Sequence, residues 1–153
     1  MKIALRYGLL ITLGVMAWVV IAHLLVPNPT AKVHSIGAGI FFNLLEIAGI
    51  YLGISAKGRE RGGQPTFKEG AKTGVAIAFV YALSASLFFL LQLLFLGPKL
   101  LAGETGAQRQ PLWQVAAAAF AGLFVGSLLF GLVYSTVISF FLAKRQANSD
   151  LQV

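Results

Sequence analysis

Residues 74–96 read GVAIAFVYALSASLFFLLQLLFL and contain no charged side chain. As an α-helix that rises about 1.5 Å per residue, this run is long enough to cross the ~30 Å hydrocarbon layer of a bilayer. Gly97-Pro98 follows directly and is a helix-stopping dipeptide. The length, composition and ending of this run are typical of a transmembrane helix.

Three further apolar runs cover residues 8–26, 36–55 and 112–142. The first ends at the turn signal Pro27-Asn28-Pro29, and the last ends at Lys144-Arg145. With allowance for helix ends, the sequence predicts one domain, residues 1–153, with spans at about 5–26, 35–56, 73–97 and 112–143. The polar segment 57–72 is predicted to be a cytoplasmic loop. The fourth run exceeds what a perpendicular span needs, so we expect it to tilt or to project past the head groups.

The composition agrees with this pattern. Hydrophobic residues make up 58% of the chain and charged residues only 11%, against about 25% charged in an ordinary soluble domain. Sixteen of the 17 charged residues lie outside the four runs. A soluble domain with so few polar side chains could not cover its surface. The predicted fold is therefore all-α, a polytopic bundle of four transmembrane helices.

Signatures of enzyme chemistry are missing. The chain has no cysteine, which excludes disulfides and thiolate chemistry. Its only histidines, His23 and His34, lack the spacing of a metal-binding motif. We find no acid pair, nucleophile motif, phosphate loop or dinucleotide fingerprint. The sequence thus predicts no enzyme activity, no metal and no cofactor.

The distribution of basic residues predicts the orientation. If both termini are cytoplasmic, three basic residues lie outside, namely Lys32, Lys99 and Arg109. Nine then lie inside: Lys2, Arg6, Lys57, Arg59, Arg61, Lys68, Lys72, Lys144 and Arg145. Cytoplasmic loops carry an excess of Lys and Arg, so this asymmetry favours cytoplasmic N- and C-termini.

An alternative treats the N-terminus as a cleaved signal peptide. Lys2 and Arg6 would form its basic region, and Val20-x-Ala22 would be the cleavage site. The apolar stretch is longer than a typical signal core, which favours an uncleaved first span.

Glu46 is the only charged residue inside the four runs. At 100° per residue it shares a helix stripe with Gly39, Asn43, Ile50 and Gly53, which should point toward other helices. No Lys or Arg lies at matching depth, so we expect a neutral acid. Either it is a proton or cation site, or it is structural and hydrogen-bonded to Asn43 and serines. The candidate partners are Ser84, Ser86, Ser127, Tyr51, Tyr81 and Tyr134.

Small residues recur at four-residue steps on three of the predicted helices, a pattern typical of close helix packing. Gly49 and Gly53 form such a pair on the second helix. The third helix has Gly74, Ala78 and Ala82, and the fourth has Ala118, Gly122 and Gly126. We favour packing within one chain for these glycines over a homodimer interface, because four helices must first pack on each other.

The segment from Gly49-Ile50-Tyr51-Leu52-Gly53-Ile54 through Lys57, Arg59 and Arg61 to residues 67–74, FKEGAKTG, resembles a known family. It is similar to the bacterial membrane proteins grouped as domain-of-unknown-function family 4199. The resemblance implies a four-helix protein of the bacterial inner (plasma) membrane. It implies no catalytic or binding residues.

These observations favour a non-catalytic accessory or scaffold role in a membrane. The alternative is a small proton-linked transporter or channel that uses Glu46. The expected partners are the bilayer, anionic lipid head groups at the cytoplasmic side, and a second copy or another membrane protein. We do not expect nucleic acid, because the net charge of +7 reflects topology and lipid contact in a membrane protein.

Overall fold

The computed structural model describes residues 1–25, 31–63, 65–96 and 111–150, and within these all side chains except those of residues 23, 25, 31–35, 96 and 145–150. It contains four helices: α1 (Lys2–Leu25), α2 (Ala31–Glu60), α3 (Phe67–Leu96) and α4 (Leu112–Asp150). No strand occurs in this part of the chain. Each helix contains a segment long and apolar enough to cross a membrane. The predicted all-helical fold with four such helices is confirmed.

Helices α1, α2 and α3 begin before their predicted spans, and α2 and α4 end after theirs, so the loop predicted at 57–72 is shorter. Helix α2 continues to Glu60 and α3 begins at Phe67. The carbonyl of Gly58 accepts hydrogen bonds from the backbone N–H groups of Arg61 (3.0 Å) and Gly63 (3.2 Å). Gly62 has a φ of 78°, a left-handed conformation that favours glycine. The polar residues on both sides of this turn are good helix formers, so they continue α2 and begin α3. Polarity alone predicts a loop for them.

Thr66 caps the start of α3. Its hydroxyl accepts a hydrogen bond from the N–H of Glu69 (3.4 Å), and its carbonyl accepts from the N–H of Gly70 (2.9 Å). This contact satisfies a backbone donor that has no partner inside the helix. The turns predicted at 27–29 and 97–98 lie outside the described residues.

Helices α2 and α3 form the centre of the bundle, because each of them packs against the other and against both α1 and α4. Gly8 lies against Val80, and Thr12 is hydrogen-bonded to Ser84. Both pairs are 72 residues apart in the sequence, so α1 and α3 run in the same direction. The short connection from Glu60 to Phe67 makes α2 and α3 antiparallel. The apolar core includes Ile11, Ile50, Ile54, Ile77 and Tyr81.

The largest interface joins α3 to α4 in antiparallel fashion. A Cβ atom added at Gly70 would lie 2.7 Å from Ser139 Oγ, and one at Gly74 would lie 2.5 Å from Ser135 Oγ. One turn further, a Cβ atom at Gly131 would clash with Ala78. The contact residues on α3 therefore increase by four while their partners on α4 decrease by four, as expected for antiparallel helices. Small residues let the two backbones approach closely.

Toward the other end of the bundle, aromatic rings replace the small residues between α3 and α4. Phe79 packs edge-to-face on Phe124, with ring centroids 5.8 Å apart, and Phe124 stacks on Phe120. At 100° per residue, Phe120 and Phe124 lie within about 20° of Gly131 on α4. Gly126 lies about 140° from Gly131 by the same calculation. The aromatic stripe thus points inward and the Gly122 and Gly126 stripe points outward.

The predicted packing of α4 through Gly122 and Gly126 within one chain is therefore wrong. Within the described ranges, a Cβ atom at either glycine would have no neighbour within 4 Å, and the same is true of Gly39 on α2. Gly49 and Gly53 on α2 do lie against other helices: a Cβ atom at Gly49 would clash with Ile11, and one at Gly53 would clash with Ile77. Ala78 and Ala82 on α3 are also fully buried.

The same substitution at an inward and an outward glycine tests this arrangement. Gly74→Ala should lower the free energy of unfolding by about 1–3 kcal/mol, because the new methyl group overlaps Ser135 and Ile54. Gly122→Ala, the matched control, should leave stability unchanged or raise it by up to about 1 kcal/mol through helix propensity. Thermal unfolding in detergent measures both variants. Equal destabilisation by the two would contradict the assigned orientation of α4.

Candidate functional site

Glu46 lies in the interior of the bundle, where α2 meets both α3 and α4. Its side chain is 3% exposed. A Cβ atom added at Gly131 on α4 would lie 2.8 Å from Glu46 Oε1 and would also contact Ala78 on α3. The carboxyl group therefore occupies a notch that exists because residue 131 has no side chain. We call Glu46, Gly131 and Ala78 the carboxyl notch.

Glu46 Oε1 is buried and has no hydrogen-bond partner among the described residues. A buried carboxyl group is costly to ionise unless a hydrogen-bond donor or an opposite charge compensates it. The neutral Glu46 expected from the sequence remains a prediction.

Asn43 lies one turn before Glu46 and hydrogen-bonds elsewhere. Its Nδ2 donates to the carbonyl of Gly39 (2.7 Å), and its Oδ1 accepts from the hydroxyl of Tyr134 (2.5 Å) on α4. Both ends of the Asn43 amide are thus in use. The bond to Tyr134 joins α2 to α4 beside the carboxyl notch.

Two further proposed partners of Glu46, Ser84 and Tyr51, are engaged elsewhere or exposed. Ser84 is hydrogen-bonded to Thr12 on α1 (2.6 Å) and to the carbonyl of Val80 (2.7 Å). Tyr51 is 44% exposed on the outside of the bundle. Ser86 is also buried, and its hydroxyl has no hydrogen-bond partner in the described part of the chain. The structural interpretation, in which Asn43 and serines hold the acid, is therefore wrong for Asn43 and Ser84.

Two elements of the site escaped sequence analysis. Small residues form an inward stripe on α4, namely Gly131, Ser135 and Ser139. This stripe has the same four-residue spacing as the outward stripe of Gly122 and Gly126, from which helix packing was predicted. The hydrogen bond between Tyr134 and Asn43 joins residues 91 positions apart, so no local sequence pattern predicts it. The positions of Phe120 and Phe124 were the available signal, because bulky rings on one face leave only one stripe to point inward.

The described residues offer little further catalytic chemistry. They bring together no group of three or more His, Asp or Glu side chains. The side chains of His23 and His34 lie outside the described set. A single buried carboxyl can carry one proton or accept hydrogen bonds from a guest, and this is the chemistry available at the carboxyl notch.

No family model, curated protein or solved structure matches the chain. The resemblance to domain-of-unknown-function family 4199 remains a prediction based on the segment around the α2–α3 turn. The function must therefore be argued from the site itself.

A double-mutant cycle tests the link between α2 and α4. Tyr134→Phe and Asn43→Ala should each lower stability, and their coupling energy should be about 0.6 kcal/mol, the average for hydrogen bonds between membrane helices, and at most about 1.7 kcal/mol. Chemical unfolding in mixed micelles gives the four stabilities needed. Tyr51→Phe is the matched control, since this exposed tyrosine should show no coupling to Asn43. A coupling energy of zero for Tyr134 would contradict the observed bond.

Proposed function

We propose that the chain is an integral protein of a bacterial inner (plasma) membrane, with both termini in the cytoplasm. The four apolar helices support insertion. Large apolar side chains are exposed on all four helices, as expected for a surface solvated by lipid. Helices α1 and α3 begin, and α2 and α4 end, at the same end of the bundle, which we call the basic end. Nine of the 12 Lys and Arg residues belong to it, which supports a cytoplasmic position.

Reporter fusions test this topology. A reporter at the C-terminus and one inserted between Gly62 and Gly63 should both give a cytoplasmic signal. A reporter inserted after Pro98, between the third and fourth spans, should give a periplasmic signal and serves as the matched control. A periplasmic signal from either of the first two would overturn the proposed orientation. A mature protein beginning after Ala22 would instead support a cleaved signal peptide.

Within the membrane, we propose a non-catalytic accessory or scaffold role. A transporter needs a polar path from water to its binding site in at least one state. Burial of Glu46 in the carboxyl notch is the observation that supports a scaffold, since this carboxyl is the one ionisable acid deep in the described spans and its side chain is 3% exposed. Packed helices with apolar outer surfaces suffice for a protein that holds or accompanies another membrane component.

A small proton-linked transporter or channel is the second candidate. It is supported by a different observation at the same place: Oε1 of Glu46 has no hydrogen-bond partner among the side chains that the structure describes. Intramembrane carboxyls are expensive to retain and are commonly functional. If α4 moved away from α2, the notch would open at Gly131, which contributes no side chain to close it.

Proton flux in reconstituted vesicles separates the two candidates. The purified chain is placed in liposomes that contain a pH-sensitive dye, and a potassium diffusion potential drives proton entry. For a scaffold, we expect the same rate for the wild type, Glu46→Gln and protein-free vesicles. Glutamine keeps the shape of the neutral acid and removes its exchangeable proton.

A wild-type rate well above that of protein-free vesicles, lost in Glu46→Gln, would reject the scaffold proposal in favour of proton transport. Tyr51→Phe should behave as the wild type in either case, because Tyr51 is exposed and lies outside the notch. Equal helix content and elution volume of all variants would exclude misfolding as the cause of a lost flux.

A further inference from the structure

Polar side chains join α2 to α4 at two contacts one helical turn apart, among the residues that the structure describes. Asn43 on α2 accepts a hydrogen bond from the hydroxyl of Tyr134 on α4. Three residues along each helix, the carboxyl of Glu46 lies against Gly131. The first contact joins two groups that are neutral at pH 7, whereas the second contains a group that can lose its proton. The α2–α4 interface is small compared with that of α3 and α4, so the charge on one side chain bears directly on it.

Contacts that do not involve Glu46 hold α4 against α3. A Cβ atom at Gly74 would overlap Ser135, so the two backbones are close at this level. Toward the other end of the bundle, Phe79 packs edge-to-face on Phe124, with ring centroids 5.8 Å apart. These contacts join apolar or neutral groups and are the same for either protonation state of the acid. We therefore expect α4 to remain on α3 when its contact with α2 changes.

No lysine or arginine lies at the depth of Glu46. The apolar runs 36–55, 74–96 and 112–142, which include the carboxyl notch, contain neither residue type. On α3, the cation closest in sequence to Ala78 is Lys72, about 9 Å away along the helix axis. An ionised carboxyl in the notch would thus be buried without an opposite charge. Such burial is costly in a protein interior and in the hydrocarbon layer of a membrane.

Two tyrosines face the carboxyl, Tyr81 on α3 and Tyr134 on α4, and both are close enough for its charge to act on them. Tyrosine hydroxyls are neutral below about pH 10, so neither supplies a compensating charge. On α1, the titratable side chain of Tyr7 lies against Gly53, about two turns along α2 from Glu46. Among the described side chains inside the bundle, Glu46 is therefore the group whose charge can change near neutral pH.

We propose that the contact of Glu46 with Gly131 is a proton-dependent latch between α2 and α4. When Glu46 is protonated, its carboxyl stays in the carboxyl notch and α4 packs on α2. When the proton is released to water, the carboxylate leaves the notch, and α4 separates from α2 while it remains on α3. The latch rests on membrane insertion, as proposed above, and goes beyond it by naming what regulates the α2–α4 contact. It needs no net movement of protons across the membrane, so it is compatible with a scaffold whose partner surface depends on pH.

The distance between α2 and α4 at two pH values tests the latch. Because the chain has no cysteine, spin labels can be attached to introduced cysteines alone. The pair Leu44→Cys, Val133→Cys reports on α2 and α4. The matched control pair Leu83→Cys, Val133→Cys reports on α3 and α4, and all three side chains are exposed. The full chain is reconstituted in phosphatidylcholine vesicles that are buffered alike inside and outside, and double electron–electron resonance gives each distance.

At about pH 5 we expect a single short distance for both pairs. At about pH 9 the distance between α2 and α4 should lengthen by at least about 3 Å, the diameter of a water molecule, and the control distance should stay the same. Glu46→Gln keeps the shape of the neutral acid and cannot ionise, so it should keep the short distance at both pH values. Tyr134→Phe removes the hydrogen bond that opposes opening. It should lower the pH midpoint of opening by about 0.4 unit, the equivalent of a hydrogen bond of about 0.6 kcal/mol.

An unchanged distance between α2 and α4 in the incorporated wild type would overturn the latch and leave the proposed function intact. Lengthening that persists in Glu46→Gln would also overturn the latch, since another group would then be titrating. Equal lengthening of the control pair would do the same, because the whole bundle would then be loosening. Failure of the wild type to incorporate into vesicles would instead reject membrane insertion, and with it both the latch and the proposed function.

Discussion

The close approach of α3 to α4 is the constraint on which the rest of the structure depends. Gly70 and Gly74 on α3 meet Ser139 and Ser135 on α4, with no room for a further carbon atom. In lipid the gain from burying apolar surface between helices is small, so such tight backbone contact supplies much of the attraction through van der Waals packing. The same register sets Gly131 beside Ala78 and so creates the notch that receives Glu46. A change in this register would displace both the core and the candidate site.

Sequence reasoning predicted the helices well because their signal is strong and local. Long apolar runs identify all four, and only one of them contains a charged residue, Glu46. The small residues Gly49, Gly53, Gly74 and Ala78 lie in contacts between helices. The loop between α2 and α3 was predicted too long, because polarity marks the end of an apolar run and not the end of a helix. Thr66 and Gly62 are better markers of the helix ends, through capping and a left-handed backbone.

The orientation of α4 and the partners of the site could not be read as easily. Two small-residue stripes occur on this helix, and spacing alone does not say which one points inward. The choice depends on where Phe120 and Phe124 fit, which is a property of the packed bundle. The burial of Glu46 was predicted from its solitary charge, whereas the pairing of Asn43 with Tyr134 required the relative placement of α2 and α4. Local chemistry thus indicated the site, and long-range packing decided its contacts.

The carboxyl notch also has a consequence for biogenesis. Glu46 is on the second helix, while Gly131, which completes its enclosure, is 85 positions later in the chain. Because synthesis proceeds from the N-terminus, α2 is complete long before α4 emerges from the ribosome. During that interval the acid lacks its final enclosure. A helix made later therefore completes the environment of the one acid buried in the second helix, so this contact can form only after α4 has been synthesised.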